Sequence, residues 1–361
     1  MLSFFPKPII FNFKSNAFDF LRLFFAIVVV VYHSTFYYDG IITPSWAYYP
    51  ISGWKFNETR LGEIAVHGFF VISGFLITAS MLRSATIQEF FYKRLVRLFP
   101  GFLAAIFITA FVFAPIIGLI NGNIQLGNLS NLKELFLQSC RYFFRNFFFE
   151  TPITNIPIVH QWELNGSLWT LLVDFRTYTA IAFLSLIGWL QKPKFILIGT
   201  LITNLFYFLL TKVEWMRNDF DKVFYDFRFF SLILYFFVGA VFYLYIDRIK
   251  WTWSLFLFSV LGLIFGAIFN IGGLLFPICI AYCVLFLSQV IPIKDLSKKI
   301  GDYSYGVYIY STPIQILLHY IIATGVISLG FKSYNIVSIL LSILAGFLSW
   351  NLVEKRFLKR K

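Results

Sequence analysis

The chain has 361 residues, of which 59% are hydrophobic and only 13% are charged, and its mean hydropathy is +0.77. Soluble globular domains are about a quarter charged, so this composition excludes an ordinary soluble protein. The formal net charge is +13, but Lys and Arg gather in short segments between apolar runs. That placement is typical of cytoplasmic loops of membrane proteins and argues against a nucleic-acid partner.

The apolar runs follow one another without a soluble break, which predicts an all-α, polytopic integral membrane protein. We expect a single transmembrane domain over 1–361 with no fused soluble domain. Only three cysteines occur, so neither a disulfide framework nor a metal site is expected. About ten spans of roughly 20 residues are predicted. They fall at 19–38, 63–82, 99–120, 167–189, 195–211, 228–246, 252–271, 274–291, 304–323 and 334–351.

Charge placement also predicts the orientation of the spans. If the N-terminus is cytoplasmic, every strongly basic loop falls on the cytoplasmic side, and both termini are cytoplasmic. The outward connections are then 39–62, which is rich in aromatic residues, and 121–165, the longest connection. Within the latter, LKELFLQSCRYFFRNFFF is amphipathic, which predicts a helix on the outer membrane interface.

The first span carries two ionisable residues, Arg22 and His33, in FDFLRLFFAIVVVVYHSTFYY. Each is expensive in a membrane, roughly 2.5–3.5 kcal/mol at a helix centre on insertion scales, so we expect a site inside the bundle. Their spacing of eleven residues is about three helical turns, which places both on one face about 16 Å apart. Asp19 lies on that face too, three residues before Arg22, and the two predict an Asp–Arg pair.

Further spans carry polar stripes at helical spacing, which fit helices around a polar cavity. In NGSLWTLLVDFRTY the stripe is Ser167, Thr170, Asp174 and Tyr178. In SYGVYIYSTPIQILLH it is Ser304, Tyr308, Ser311, Gln315 and His319. Each hydroxyl has a plainer interpretation, because Ser and Thr in membrane helices often bond their own backbone. In VHGFFVISGFLIT, Ser73 and Gly74 are expected to let another backbone approach closely.

These blocks resemble, in the same order, those of the membrane acyltransferase-3 family, whose members O-acylate sugars and other acceptors. The match includes the R-x10-H spacing of Arg22 and His33, the block GFFVISGFLIT, the basic KRLVRLFP, NGSLWTLLVD, SYGVYIYSTP and the closing VEKRF. Departures from the family pattern are Asp174 in place of the usual Glu, and Ser311 where many members carry His. Arg356 replaces the proline of the last block.

The resemblance implies transfer of an acetyl group from acetyl-CoA, a co-substrate, to a carbohydrate or glycolipid hydroxyl, with no tightly bound cofactor. The implied acceptors include O-antigen, capsule and exopolysaccharide. Histidine suits the chemistry, because a sugar hydroxyl needs a base whose pKa is near neutral. The catalytic residues implied are His33, Arg22, Asp19 and Asp174. The substrate-binding residues implied are Arg94, Arg97, Ser73, Trp169, Tyr308 and Ser311.

Two alternatives stay open at this point. His33 either acts as a general base or forms an acetyl-imidazole intermediate. The rival function is a transporter or flippase of a lipid-linked saccharide, which also needs many spans and intramembrane charges. No pair of interrupted half-helices in matching halves supports it. We expect a multi-pass protein of the bacterial inner membrane that contacts the lipid bilayer, and its oligomeric state is unknown.

Overall fold

The computed structural model describes residues 9–38, 61–148, 155–160, 163–224 and 227–358, and within these ranges the chain is helical with no β-strand. The prediction of an all-α fold is therefore confirmed. The expected outward loop at 39–62 lies almost wholly outside the described residues, as do both chain ends.

The helices follow the predicted spans in order. They are α1 Phe18–Tyr38, α2 Leu61–Arg83, α3 Ile87–Ile108, α4 Ala114–Ile120, α5 Leu129–Phe147, α6 Trp169–Leu186, α7 Pro193–Lys212, α8 Glu214–Phe224, α9 Phe227–Leu244, α10 Trp253–Ile268, α11 Gly272–Val290, α12 Leu296–Ile300, α13 Ser304–Ala323, α14 Phe331–Ser349 and α15 Lys355–Leu358. Each of the ten predicted spans coincides with one of these helices or a continuous pair of them.

Seven helices in the described part of the chain are long and apolar enough to cross a membrane. Two more apolar helices, Arg228–Leu244 and Trp253–Ile268, are shorter. The chain is therefore a multi-pass membrane protein, while the count of ten crossings and the cytoplasmic termini stay predictions. The amphipathic segment of the longest connection does form a helix, α5, whose position at a membrane interface also stays a prediction.

The third predicted span, 99–120, differs most from the structure. The helix begins at Ile87, so the basic block with Arg94 and Arg97 is helical and is not part of a loop. Between α3 and α4 the helix widens into a π-helical turn, Thr109–Phe113. Pro115 follows it; its ring lacks an N–H and would clash with the carbonyl four residues earlier, which explains the local change of helix type.

The helices form two compact units. The first unit comprises Met1–Phe25, Ser45–Phe90 and Val173–Lys299. Its tightest pair is α2 with α9, because glycines allow the two backbones to meet. A Cβ on Gly74 would strike the carbonyl oxygen of Phe236, and a Cβ on Gly239 would strike that of Val71. The expected close approach at Gly74 is thus confirmed.

The second unit comprises Ala26–Pro44, Phe91–Leu172 and Ile300–Lys361. Its main pair is α13 with α14, which again meet at glycines, since a Cβ on Gly306 would lie against the Cα of Gly346. After α14 a second π-helical turn, Trp350–Glu354, precedes α15. This turn turns Glu354 into the interior, where its side chain is 1% exposed.

Candidate active site

Among the candidate site residues of the first unit, Asp174 on α6 is the acidic residue that contacts the others. The hydroxyl of Ser73 on α2 donates to its Oδ1 over 3.5 Å. The guanidinium of Arg22 on α1 acts on the same carboxylate electrostatically, and the hydroxyl of Tyr178 adds a hydrogen bond. Because an unpaired carboxylate in a membrane span is costly, these partners explain how Asp174 is tolerated in the span predicted at 167–189. All four side chains come from one unit, and Arg22, Ser73 and Asp174 remain partly exposed.

Asp19 has a different environment from the one predicted. Its carboxylate accepts hydrogen bonds from the hydroxyl and, at 3.3 Å, the backbone N–H of Ser297 in the short helix α12. The acidic group that acts on Arg22 is Asp174. The i, i+3 spacing of Asp19 and Arg22 favoured a local pair, but each side chain found a distant partner. Asp19 thus ties α1 to the segment that follows α11.

In the second unit, His33 lies on the later part of α1. It is partly buried, and its Nδ1 is enclosed without a hydrogen-bond partner among the described residues. Its aromatic neighbours are Tyr32 and Tyr37 of the same helix, with ring centroids 5.7 and 6.3 Å away. A catalytic histidine commonly has one ring nitrogen oriented by a carboxylate or carbonyl. Among the described residues no such partner reaches the Nδ1 of His33, so at this nitrogen the ring is positioned by its own helix.

Within the second unit, side chains of the α6 stripe contact α13. The hydroxyls of Thr170 and Tyr308 lie 2.9 Å apart, and those of Ser167 and Thr312 lie 3.2 Å apart. Gln315 reaches α1 through two hydrogen bonds. Ser311, which is fully buried, donates only to the carbonyl of Tyr308 on its own helix, so the plainer interpretation fits it.

Two further residues lie at the start of α6: Trp169, which the sequence predicted as a binding residue, and Asn165, which it did not. Trp169 opens α6 after the 3-10 turn Gly166–Leu168 and is partly exposed. Asn165 was not singled out, yet it is fully buried and its amide donates 2.9 Å to the carbonyl of Ile309. The signal was its place just before a glycine in the block NGSLW, where a buried amide can close a turn against a neighbouring helix.

In the basic block of α3, Arg97 is already paired with carboxylates of the protein itself. Arg97 forms ion pairs with Asp302 and, at 3.8 Å, with Glu354. Its guanidinium also lies 5.4 Å from the ring centroid of Trp350. The carboxylates are bonded in turn, since Ser304 donates to Asp302 over 2.7 Å and Ser349 to Glu354 over 2.8 Å.

Arg97 therefore ties α3 to the residue just before the start of α13 and to the π-helical turn after α14. Asp302 was missed by the sequence analysis, because a single acidic residue beside a predicted span gives no sign of its partner. Arg94 on the same helix has a buried Nε.

A family model described as an acyltransferase domain matches residues 15–353, nearly the whole chain. The chain belongs to the acyltransferase-3 family. A relative named O-acetyl transferase, from Shigella phage Sf6, is 29% identical over 96% of this chain and 97% of its own length. Nodulation protein 10 of Rhizobium leguminosarum bv. viciae is 30% identical over 47% of this chain and 44% of its own. No solved structure matches this chain at a significant level.

This acyltransferase is thus an enzyme of the membrane, and its candidate residues form two groups. Arg22, Ser73 and Asp174 belong to the first unit, together with Asp19 nearby on the chain. The second unit holds His33, Arg94, Arg97, Trp169, Tyr308 and Ser311. Hydrogen bonds and charge link Arg22, Ser73 and Asp174, and in the second group Ser311 donates to the carbonyl of Tyr308. The catalytic and binding roles assigned to both groups stay predictions.

Proposed function

We propose that this acyltransferase moves an acetyl group from acetyl-CoA to a hydroxyl of a carbohydrate acceptor at the bacterial inner membrane. The observation that carries the proposal is the likeness, over nearly both full lengths, to a phage protein named O-acetyl transferase. The R-x10-H pair on one unbroken helix supports it, because hydroxyl acylation needs a base within the membrane domain.

In the proposed reaction, His33 takes the proton of the acceptor hydroxyl. The hydroxyl oxygen attacks the thioester carbonyl carbon, the carbon–sulfur bond breaks, and the imidazolium returns its proton to the departing CoA thiolate. The products are the acetyl ester and free CoA, so atoms and charge balance without another reactant. The alternative route, in which the imidazole itself is acetylated first, uses the same residue and differs in one covalent intermediate.

The remaining residues are assigned by their charge. Arg22, whose carboxylate neighbour Asp174 is hydrogen-bonded by Ser73, is proposed to contact the pantetheine or phosphate groups of the donor. Arg94 is proposed to receive CoA phosphates at the predicted cytoplasmic side. Arg97 is already engaged with Asp302 and Glu354, so a phosphate there would have to compete with two carboxylates.

The rival proposal is a transporter or flippase of a lipid-linked saccharide. The deciding experiment supplies acetyl-CoA and acceptor glycan to the protein in nanodiscs and measures released CoA with a thiol reagent. Acetyl transfer predicts release that depends on acceptor and disappears in His33→Ala. Absence of release, with transport of the saccharide across vesicles, would overturn the proposal.

The acceptor is tested in cells. Mass spectrometry of surface glycans, with and without the gene, should show the loss of one acetyl group per repeating unit. If the acceptor is instead peptidoglycan, a lipid headgroup or a small molecule, the O-antigen, capsule and exopolysaccharide should be unchanged. That result would correct the acceptor class and keep the acyl-transfer reaction.

A further inference from the structure

Gln315 on α13 is completely buried and joins this helix to α1 inside the second unit. Its side-chain Nε2 donates 2.7 Å to the carbonyl of Val30 and 2.7 Å to the hydroxyl of Ser34. Ser34 in turn donates 2.9 Å to the same carbonyl of Val30. The glutamine's own backbone carbonyl accepts a 2.8 Å hydrogen bond from the hydroxyl of Tyr334 on α14. Three helices are thus joined at one residue, α1 through its side-chain amide and α14 through its backbone carbonyl.

The orientation of this amide is fixed by chemistry. The Val30 carbonyl can only accept a hydrogen bond, so the nitrogen of Gln315, and not its oxygen, must face it. The oxygen Oε1 is then left enclosed with no hydrogen-bond partner among the described residues. An unpaired buried carbonyl is destabilising, and here the two hydrogen bonds from Gln315 to α1 offset that cost.

The two residues of α1 that Gln315 bonds lie on either side of His33 in the sequence. Val30 is three residues before it and Ser34 directly after it, so the amide is hydrogen-bonded to the helical turn that carries the imidazole. Among the described residues, none forms a hydrogen bond with Nδ1 of the ring. Its position therefore depends on the backbone of this turn, more than in a histidine that a carboxylate orients.

We propose that Gln315 is a positioning residue, which holds the α1 turn of His33 at the depth and rotation that acyl transfer needs. The inference rests on the proposed function of His33. A displacement of about 1 Å at a reacting group can slow a reaction roughly a hundredfold. Loss of the amide should therefore lower kcat by about ten- to a hundredfold while the KM for the donor stays unchanged.

The main variant is Gln315→Met, which keeps the length and volume of the side chain and removes both donated hydrogen bonds. Ser34→Ala removes one of the two receiving groups, and its smaller effect should not add fully to that of Gln315→Met, because both act through one network. Full kcat in both variants would overturn the proposal. Fully additive effects would do so as well.

A matched control exists in the other unit. Asn204 on α7 is also a buried amide that donates to a backbone carbonyl of a neighbouring helix, that of Leu274 over 3.1 Å, and its own oxygen likewise has no partner. Asn204→Leu should lower thermal stability and leave kcat per folded molecule unchanged. An equal loss of kcat in Asn204→Leu would show a general effect of loosened helices and overturn the specific role of Gln315.

A second readout does not depend on acetyl transfer. Diethyl pyrocarbonate acylates accessible imidazoles, and peptide mass spectrometry can follow His33 with the partly exposed His160 as internal reference. In Gln315→Met the rate at His33 should change several-fold relative to His160. Unchanged relative reactivity, together with unchanged kcat, would overturn the positioning role of Gln315. If the wild-type protein transfers no acetyl group, the proposed function is refuted instead, and the reactivity ratio still tests the positioning role.

Discussion

At the scale of single residues, the charged side chains of α1 show what sequence spacing can and cannot predict. The helix and the shared face of Arg22 and His33 follow from local periodicity, and α1 is indeed unbroken from Phe18 to Tyr38. The partners do not follow from it. Asp174, 152 positions after Arg22 in the sequence, acts on that arginine, and Ser297 bonds Asp19. Long-range pairing depends on packing, which one sequence does not encode in any local pattern.

His33→Ala should abolish transfer and leave the yield of folded protein normal, because the ring makes no hydrogen bond through Nδ1 that folding would lose. A general base contributes about 10²–10⁴-fold to a rate. CoA release per folded molecule is the measurement, with thermal stability beside it. His319→Ala, a partly exposed histidine of the same unit, is the control and should keep its activity. Near-full activity of His33→Ala would refute the assignment.

Arg22 and Asp174 should behave as a coupled pair in stability. Arg22→Ala leaves the carboxylate of Asp174 without its compensating charge, and Asp174→Asn leaves the guanidinium of Arg22 without its own. The losses of stability in the two single variants should therefore add up to more than the loss in the double variant. The expected coupling is about 0.5–3 kcal/mol. Thermal unfolding of the four proteins in one detergent gives the cycle.

The same variants also report on function. Asp174→Asn should lose activity at normal yield, Asp174→Glu should retain part of it, and Arg22→Lys should work only partly, because an ammonium lacks the planar fork. Zero coupling, with full activity of Asp174→Asn, would reduce the group to ordinary helix packing.

At the scale of elements, the apolar runs predicted the long apolar helices of the described residues and amphipathicity predicted α5, while departures from regular helix were missed. The π-helical turn at Thr109–Phe113 and the one at Trp350–Glu354 leave no periodic signal. The early start of α3 at Ile87 was missed because its first turns are amphipathic and basic, which reads as a loop in a hydropathy profile. The contacts between the Ser167 and Tyr308 stripes were not predicted, because a hydroxyl in an apolar helix can bond its own backbone as well as a neighbouring helix.

The α2–α9 crossing gives a prediction about packing. Gly74→Ala puts a methyl group against the backbone carbonyl of Phe236, which cannot move aside without shifting a helix. The cost should be at least about 1–3 kcal/mol, seen as a lower melting temperature and lower yield. Gly199→Ala on α7 is the control, because a Cβ there meets nothing within 4 Å. It should be neutral or slightly stabilising. Equal stability of both variants would refute the close approach.

His160 should make the stability of the protein depend on pH. Its imidazole lies 2.8 Å from the hydroxyl of Tyr320, and burial, then the nearby His319, lower the pKa of His160 below its usual value of 6.5. The folded state then binds fewer protons than the unfolded chain, so the stabilisation is complete above about pH 6.5 and declines below it. The melting temperature should fall between pH 7.5 and about 5.5. His160→Gln should flatten that fall, and an unchanged slope would contradict the interpretation.

At the scale of the whole molecule, orientation is the main prediction still to be tested. With the N-terminus cytoplasmic, the loop after α2 faces the cytoplasm and the loop after α13 faces outward. In a background without native cysteines, Ser84→Cys should resist an impermeant thiol reagent added outside, and Val326→Cys, at a side chain 80% exposed, should react. A reporter fused at Lys361 should read as cytoplasmic. The reverse labelling pattern would invert the topology and the proposed side of donor entry.

The ion pairs of Arg97 have a consequence for how the protein is made. Membrane insertion sorts helices by the positive charges of the nascent chain, before tertiary contacts exist. At that stage Arg97 counts as a full charge, and in the predicted orientation it retains its end of α3 in the cytoplasm. Once folding brings Asp302 and Glu354 to it, the same charge is neutralised inside the second unit. One side chain thus serves biogenesis first and architecture afterwards, so Arg97→Gln should harm both assembly and stability, whereas Glu354→Gln should harm stability alone.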